Sequence, residues 1–272
     1  MQAPRRCGPN AVVSTVGISK ADNYGLFHSH GQGESERSAI ESIIVRSRRK
    51  GGWVWRLARW CLYLVLGFYV VCALALVSLR WVDPATTAVQ AERRIEALLA
   101  HRKYSKRYAF VPLGRISLEL QHAAIAAEDG RFYQHHGIDW LELRKVVASD
   151  LEVGKLGRGG STITQQLVKN LFFTTRRSIL RKGIEFSLAP LAELILSKPR
   201  ILELYLNVIE WGPGLFGAEA AARNHYGIPA SSVGRDQAAR LAAIIPSPLR
   251  WRPGRMDDYS AEILARMSRM GW

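Results

Sequence analysis

The sequence predicts a mainly α-helical exported domain held by one N-terminal transmembrane helix. Two observations carry this reading. From Trp60 to Leu79 no charged residue interrupts "WCLYLVLGFYVVCALALVSL", about the 20 residues a helix needs to cross hydrocarbon at roughly 1.5 Å rise per residue. Beyond Pro84, apolar residues recur at helical spacing in stretch after stretch, while alternating runs stay short. A small hairpin is the most strand structure expected.

The elements follow in order. Residues 1 to about 50 are polar and lack periodicity, which predicts a disordered tail. Arg46, Arg48, Arg49, Lys50, Arg56 and Arg59 precede the span, so the positive-inside rule puts the N-terminus in the cytoplasm and everything after Leu79 outside. Trp60 and Trp81 flank the span where aromatic rings favour the headgroup layer. Ala73-Leu74-Ala75 resembles a signal-peptidase site, but the apolar run starts late and continues past it, so an uncleaved anchor is expected. The expected boundaries are 1–52 for the tail and its basic flank, 53–81 for the anchor and 82–272 for the exported domain.

Within that domain "ISLELQHAAIAAEDGRF" and "DWLELRKVVASDLEVG" carry helical spacing, with Gly130 and Gly154 as stops. "STITQQLVKNLFF" opens on Ser or Thr caps after glycines. "ILELYLNVIEW" is apolar on one side and is expected to run to Gly212-Pro213-Gly214. "GAEAAARNHYG" ends on Gly227, a natural left-handed stop. "DQAARLAAIIPSP" is expected to start from Asp236 as cap and to end before Pro246. Leu141, Val146, Leu151, Phe172 and Phe173 are read as core, with a membrane-dipping role as the alternative.

A formal charge of +15 draws a protein toward anions: nucleic acid, acidic lipid or phosphorylated substrates. No zinc-ligand spacing, RNA-binding aromatic motif or basic zipper is present, which excludes the usual nucleic-acid modules. The three cysteines, Cys7, Cys61 and Cys72, fall in the tail and the span, so the exported part offers neither disulfide nor thiol chemistry.

Several constellations remain. Glu128 and Asp129 end an alanine-rich apolar helix. There they are either a solvated helix-end pair or a desolvated carboxylate with the raised pKa of a general base. Arg181, Lys182 and Glu185 stand at i, i+1 and i+4, which by spacing alone is a surface ion pair. Lys169, Arg176 and Arg177 add cations in a region without acids, a pattern suited to a phosphorylated leaving group. "GKLGRGGSTITQQ" lacks the lysine of a nucleotide P-loop, since Ser161 follows Gly160 directly. It is either a flexible loop before a capped helix or an anion site at a helix start. His135 and His136 have no further ligands at helical spacing, which argues against zinc. The one Ser-x-x-Lys, Ser47 to Lys50, lies in the basic flank, so no penicillin-type acyl-transfer site is expected.

Together, "EDGRFYQHHG" (Glu128, Asp129, Phe132, His135, Gly137), "GGSTITQQLVKNLF", "RKGIE", "KPRILELYLN" and "WGPGLFGAEAAARNHYG" resemble the five ordered motifs of the peptidoglycan glycosyltransferases, glycosyltransferase family 51, in their monofunctional biosynthetic form. The resemblance covers roughly residues 82 to 255. It implies a lysozyme-like, two-lobed fold around a cleft, on the periplasmic side of the bacterial inner membrane. It implies polymerisation of lipid II, with the undecaprenyl-pyrophosphate-linked growing chain as donor and the 4-hydroxyl of lipid II as acceptor. By motif position Glu128 is the base and Glu185 assists on the donor side. Lys169, Arg177, Arg181 and Lys182 neutralise the leaving pyrophosphate, and Ser161, Thr162, Gln165 and Gln166 line the cleft. Asp129, Phe132, His135 and Asn207 support the site.

The single anchor and the lack of room for a transpeptidase domain match the monofunctional members. Membrane lipids and cell-division or cell-wall synthesis proteins are the implied partners, and nucleic acid is not. Mg or another divalent cation is compatible with this chemistry, as for some relatives, yet the sequence displays no ligand cage. Two departures stand out. "TTRRS" carries threonines and an extra arginine where relatives often have small polar residues and a glutamate. Pro190 lies five residues after Glu185, where it is expected to kink the helix and shift Glu185.

Overall fold

The computed structural model describes residues 32–153, 160–176 and 178–272. Its elements are overwhelmingly helical, as the apolar spacing requires. The chain divides into two compact units at Tyr63.

In the first unit, helix α1 (Gln32–Ser78) already begins at Gln32. The expected disordered tail is therefore helical from that residue on, and the remainder of the tail, with Cys7, lies outside the described residues. The tail's basic stretch contains no proline to stop a helix that continues into the span. Gly52–Ser78 is long and apolar enough to cross a membrane. Trp53, Trp55 and Trp60 are exposed on it, and the Trp60 and Tyr63 rings meet edge-on at 6.2 Å.

In the second unit the C-terminal turns of α1 change character. Cys72, Leu76 and Leu79 are buried and belong to the same apolar core as the rest of the domain. The Tyr69 hydroxyl bonds the Ser187 hydroxyl, and the Phe68 ring packs 6.4 Å from that of Phe173. The chain leaving α1 is pinned by Arg200, whose Nε donates to Leu79 O at 2.8 Å and whose Nη2 donates to Asp83 Oδ1 at 2.8 Å. Tyr108 adds a hydrogen bond to Pro84 O at 2.6 Å.

Helix α2 (Ala88–Leu99) starts from the Thr87 cap, and strand β1 (Arg107–Tyr108) follows. Helix α3 (Leu118–Glu128) is capped by Ser117 and buries its alanine-rich face. Asp139 opens α4 (Trp140–Val153) by accepting the amides of Leu141 and Glu142. Helix α5 (Ile163–Phe172) carries the expected threonine start: Thr162 and Gln165 form a reciprocal capping box. Helices α6 (Ile179–Ile195) and α7 (Lys198–Val208) follow. Strands β2 (Glu210–Gly212) and β3 (Leu215–Phe216) form the anticipated hairpin, and β1 joins it parallel to β3, in the order β1-β3-β2. Helix α8 (Ala218–Tyr226) stops on left-handed Gly227 (φ 71°). Helices α9 (Arg235–Ile244) and α10 (Asp257–Arg269) complete the domain. Helix α3 packs on α9 and α10, whereas α5 packs on α2, α6 and α7.

Three expectations need correction. The stretch "ILELYLNVIEW" leaves the helix at Val208, because Glu210–Gly212 pairs with β3. Gly234, not Asp236, is the cap of α9; Asp236 sits in the first turn and pairs with Arg240 at 2.8 Å. Leu141 is not core: it is exposed with its neighbours Trp140 and Val147, whereas Phe172 and Phe173 do pack on the core. The side chain of Leu151 is outside the described residues. Helix α6 continues on both sides of Pro190. Gly137 (φ +88°) packs so closely on the Ala189–Pro190 peptide that a Cβ there would meet Ala189 C at 2.7 Å and Pro190 N at 2.8 Å. Positive φ and this contact both require glycine. Glu185 stays buried and paired despite the proline.

Candidate active site

Glu128 ends α3, half-buried, where the helix gives way to Gly130. Its Oε2 accepts a 2.6 Å hydrogen bond from Gln166 Nε2. Burial raises its pKa above the ordinary carboxylate value, and the Gln166 hydrogen bond and the nearby Lys169 ammonium only partly oppose that rise. Of the two readings open for Glu128, the structure excludes the fully solvated helix end.

Asp129 points the other way and is buried. Its Oδ1 and Oδ2 lie 2.9 and 3.0 Å from His135 Nε2, and Oδ2 accepts the Ile163 amide at 2.9 Å. It thus ties the end of α3 to the start of α5, where the amide dipoles favour an anion. Thr162 Oγ1 donates to Gly137 O at 2.6 Å on the same seam. Phe132 is buried beneath this turn, with Lys198 Nζ 4.3 Å over its ring. Asn207 is buried further off and clasps Val111 through both its amide and carbonyl, at 2.9 Å each.

On α6, Glu185 is almost fully buried, with Arg181 Nε at 3.2 Å and Lys182 Nζ at 3.4 Å. The spacing-based reading of an exposed surface pair is therefore corrected: α5 and α6 pack together and carry the pair inside. Lys182 Nζ also donates to Ser161 Oγ at 2.8 Å. Arg181 Nη1 donates to Thr174 O at 2.6 Å. Burial lowers the pKa of Lys169, while Glu185 and Glu128 both hold it up.

One cavity of about 710 Å³ joins these groups: Glu128, Ser161, Gln165, Gln166, Lys169, Arg181, Lys182 and Glu185 line it, with Ser247, Arg250, Trp251 and Tyr259 opposite. Gln165 Nε2 faces no hydrogen-bond partner among the described residues. A second cavity of about 350 Å³ touches Glu128 from its other side, lined by Arg131, Glu142, Thr162, Arg266 and Arg269. Arg177 lies outside the described residues. Sequence reasoning missed Arg266 and Arg269, which lie beyond the motif-bearing stretch. It also missed Tyr205, whose hydroxyl meets Gln166 Oε1 at 3.1 Å. Tyr205 sits in the quoted "ILELYLN", but helical spacing registers its ring and not its hydroxyl.

The expectation that His135 lacks ligand companions is modified by the fold, which brings Asp129, His135 and Asp139 within 4.8 Å of one another. The carboxylates are engaged: Asp129 serves His135 and Ile163, while Asp139 caps α4 and lies 3.6 Å from Arg131. His135 Nδ1 is buried without a hydrogen-bond partner among the described residues. A divalent cation would have to displace the carboxylate bonds beside an arginine, which disfavours one there.

A cation-lined cleft with one desolvated carboxylate agrees with the sequence comparisons. The transglycosylase family model matches residues 94–270. The chain belongs to the transglycosylase family. Biosynthetic peptidoglycan transglycosylases are similar to it: one from Pseudomonas entomophila (strain L48) is 44% identical over 80% of this chain and 87% of the relative. One from Laribacter hongkongensis (strain HLHK9) is 44% identical over 65% and 78%. One from Bordetella avium (strain 197N) is 42% identical over 82% and 94%. This transglycosylase is an enzyme of peptidoglycan biosynthesis, a glycosyltransferase, and its mainly helical fold is the one expected of such a domain.

Proposed function

We propose that the enzyme polymerises lipid II by inverting glycosyl transfer and performs no transpeptidation. The observation that carries this is the single cavity shared by Glu128, Glu185, Lys169, Arg181 and Lys182. Glu128 takes the proton of the acceptor 4-hydroxyl. The freed oxygen bonds the donor's anomeric carbon as the bond from that carbon to the pyrophosphate breaks. The pair of electrons leaves on the undecaprenyl pyrophosphate, an anion stabilised by Lys169, Arg181 and Lys182 rather than by a strong acid. Arg177 is assigned the same role by motif position. Glu185 holds Arg181 and Lys182 in place on the donor side, and Ser161, Gln165 and Gln166 bind sugar hydroxyls, while Thr162, its hydroxyl committed to Gly137 and Gln165, fixes the head of α5 beside them. Asp129, His135 and Phe132 fix the turn that presents Glu128, and Asn207 braces the fold behind it.

In this reading α1 spans the inner membrane with its N-terminus in the cytoplasm and the cleft in the periplasm. The basic flank before the span supports that orientation. The exposed Trp140, Leu141 and Val147 suit contact with lipid. Cell-wall synthesis proteins are the expected protein partners.

The test is purified enzyme with lipid II in detergent, read on gels for glycan length. Long polymer from the wild type and none from Glu128→Gln is expected. Polymerisation that survives Glu128→Gln removes Glu128 as the base. Cutting of preformed glycan without synthesis makes the enzyme a lytic one, a lysozyme-like reading that the cation cluster disfavours.

A further inference from the structure

We propose that Tyr205 is a positioning residue for the catalytic base, acting through the side-chain amide of Gln166. This rests on the assignment of Glu128 as base. Three side chains form a chain across α7, α5 and α3: Tyr205 Oη donates to Gln166 Oε1 at 3.1 Å, and Gln166 Nε2 donates to Glu128 Oε2 at 2.6 Å. Tyr205 is completely buried on α7, so its ring has no room to swing and its hydroxyl is a fixed reference point.

The amide of a glutamine fits equally well after a half-turn that exchanges its oxygen and nitrogen. Turned that way, Gln166 would set its carbonyl oxygen against the Glu128 carboxylate, lone pair against lone pair. The phenol proton opposes the turn. Its one hydrogen-bond acceptor among the described residues is Gln166 Oε1, and a half-turn would leave a buried donor with nothing to bond. Tyr205 thereby keeps the N–H of Gln166 on Oε2. Oε1 of Glu128 has no hydrogen-bond partner among the described residues and is left to receive the substrate proton.

Other groups also face Glu128. Asp129 adjoins it on α3, Lys169 approaches from α5, and Arg266 and Tyr259 approach from α10. Arg181, Lys182 and Glu185 of α6 share its cavity. Among the described residues none of them hydrogen-bonds the Gln166 side-chain amide in place of Tyr205, so removing the phenol oxygen frees the amide's orientation while leaving these charges in the sequence.

Tyr205→Phe keeps the buried ring and removes only the oxygen. It is expected to lower kcat/KM for lipid II polymerisation by about two- to tenfold, the value of one hydrogen bond. The loss should grow toward low pH. Losing the Gln166 bond disfavours the ionised carboxylate, so the acid limb of the kcat/KM profile moves to higher pH. Gln166→Leu should move the limb the same way, and adding Tyr205→Phe to it should change nothing further. Matching thermal midpoints establish that the variants are folded. A Tyr205→Phe profile lowered equally at every pH, or penalties of the two substitutions that multiply, overturns the relay. If Glu128→Gln itself polymerises, the base assignment fails and the relay fails with it. If Glu128→Gln is inactive and the Tyr205→Phe limb does not move, the relay alone is wrong.

Discussion

Asp129→Asn tests whether the two adjacent acids divide their labour. Asp129 accepts from the buried His135 ring and from the Ile163 amide at the head of α5. Asparagine keeps one oxygen for the amide but turns an NH2 toward His135 Nε2, and it forfeits the charge on both bonds. Charge-assisted hydrogen bonds of this kind contribute about 1.5–3 kcal/mol each. One bond lost and one weakened therefore place Asp129→Asn about 2–4 kcal/mol below the wild type. For a domain of this size each kcal/mol moves the unfolding midpoint by about 2–4 °C, so a fall on the order of 10 °C is expected by differential scanning in detergent. Asp129→Ala, which strands both donors, should fall further. Polymerisation measured well below the new midpoint should retain a substantial fraction of wild-type turnover. A Asp129→Asn enzyme that melts like the wild type yet is as inactive as Glu128→Gln would refute the division and make Asp129 a participant in proton transfer.

The acid limb of the wild-type kcat/KM profile should lie above pH 4.5, the ordinary glutamate value, because the proposed base, Glu128, acts ionised and burial raises its pKa. The same raised pKa means that Glu128 costs stability as pH climbs through its folded-state pKa, so Glu128→Gln should be at least as heat-stable as the wild type at pH 7. Arg181→Gln should lower kcat about 100-fold or more by removing charge stabilisation of the leaving group. It should also lower the unfolding midpoint, because it strips a partner from the buried Glu185. Leu76→Ala should destabilise the folded domain by about 2–5 kcal/mol, whereas Leu64→Ala, at an exposed position of the same helix, should leave the midpoint in detergent unchanged.

The parts of this site that sequence displays are those set by local chemistry. A serine and a threonine after two glycines, with glutamine three residues beyond the threonine, encode the capping box at Thr162 and Gln165. A break at Gly130 after an alanine-rich run places Glu128 at a helix end. What spacing could not reveal is which helix faces which. Arg181 and Glu185 look like a solvated pair until α5 covers them, and Tyr205 looks like one more apolar contact until Gln166 stands opposite its hydroxyl. Asp139 and His135 are four residues apart without helical register, so their approach to Asp129 depends on the turn between α3 and α4. The second cavity depends on α10, whose Arg266 and Arg269 line it together with Glu128 because α10 packs on α3 and α9. Nor could spacing reveal that Gly137 packs against the Ala189–Pro190 peptide of α6.

The burial of Cys72, Leu76 and Leu79 in the domain core makes the end of α1 a bracket rather than a leash. A leash can be cut or exchanged without the folded domain noticing. Here the turns that end the apolar stretch are themselves part of the fold, so a change there is felt as lost stability. An unrelated apolar helix grafted in place of residues 53–81 would keep the length and the hydropathy and still leave a hole in that core.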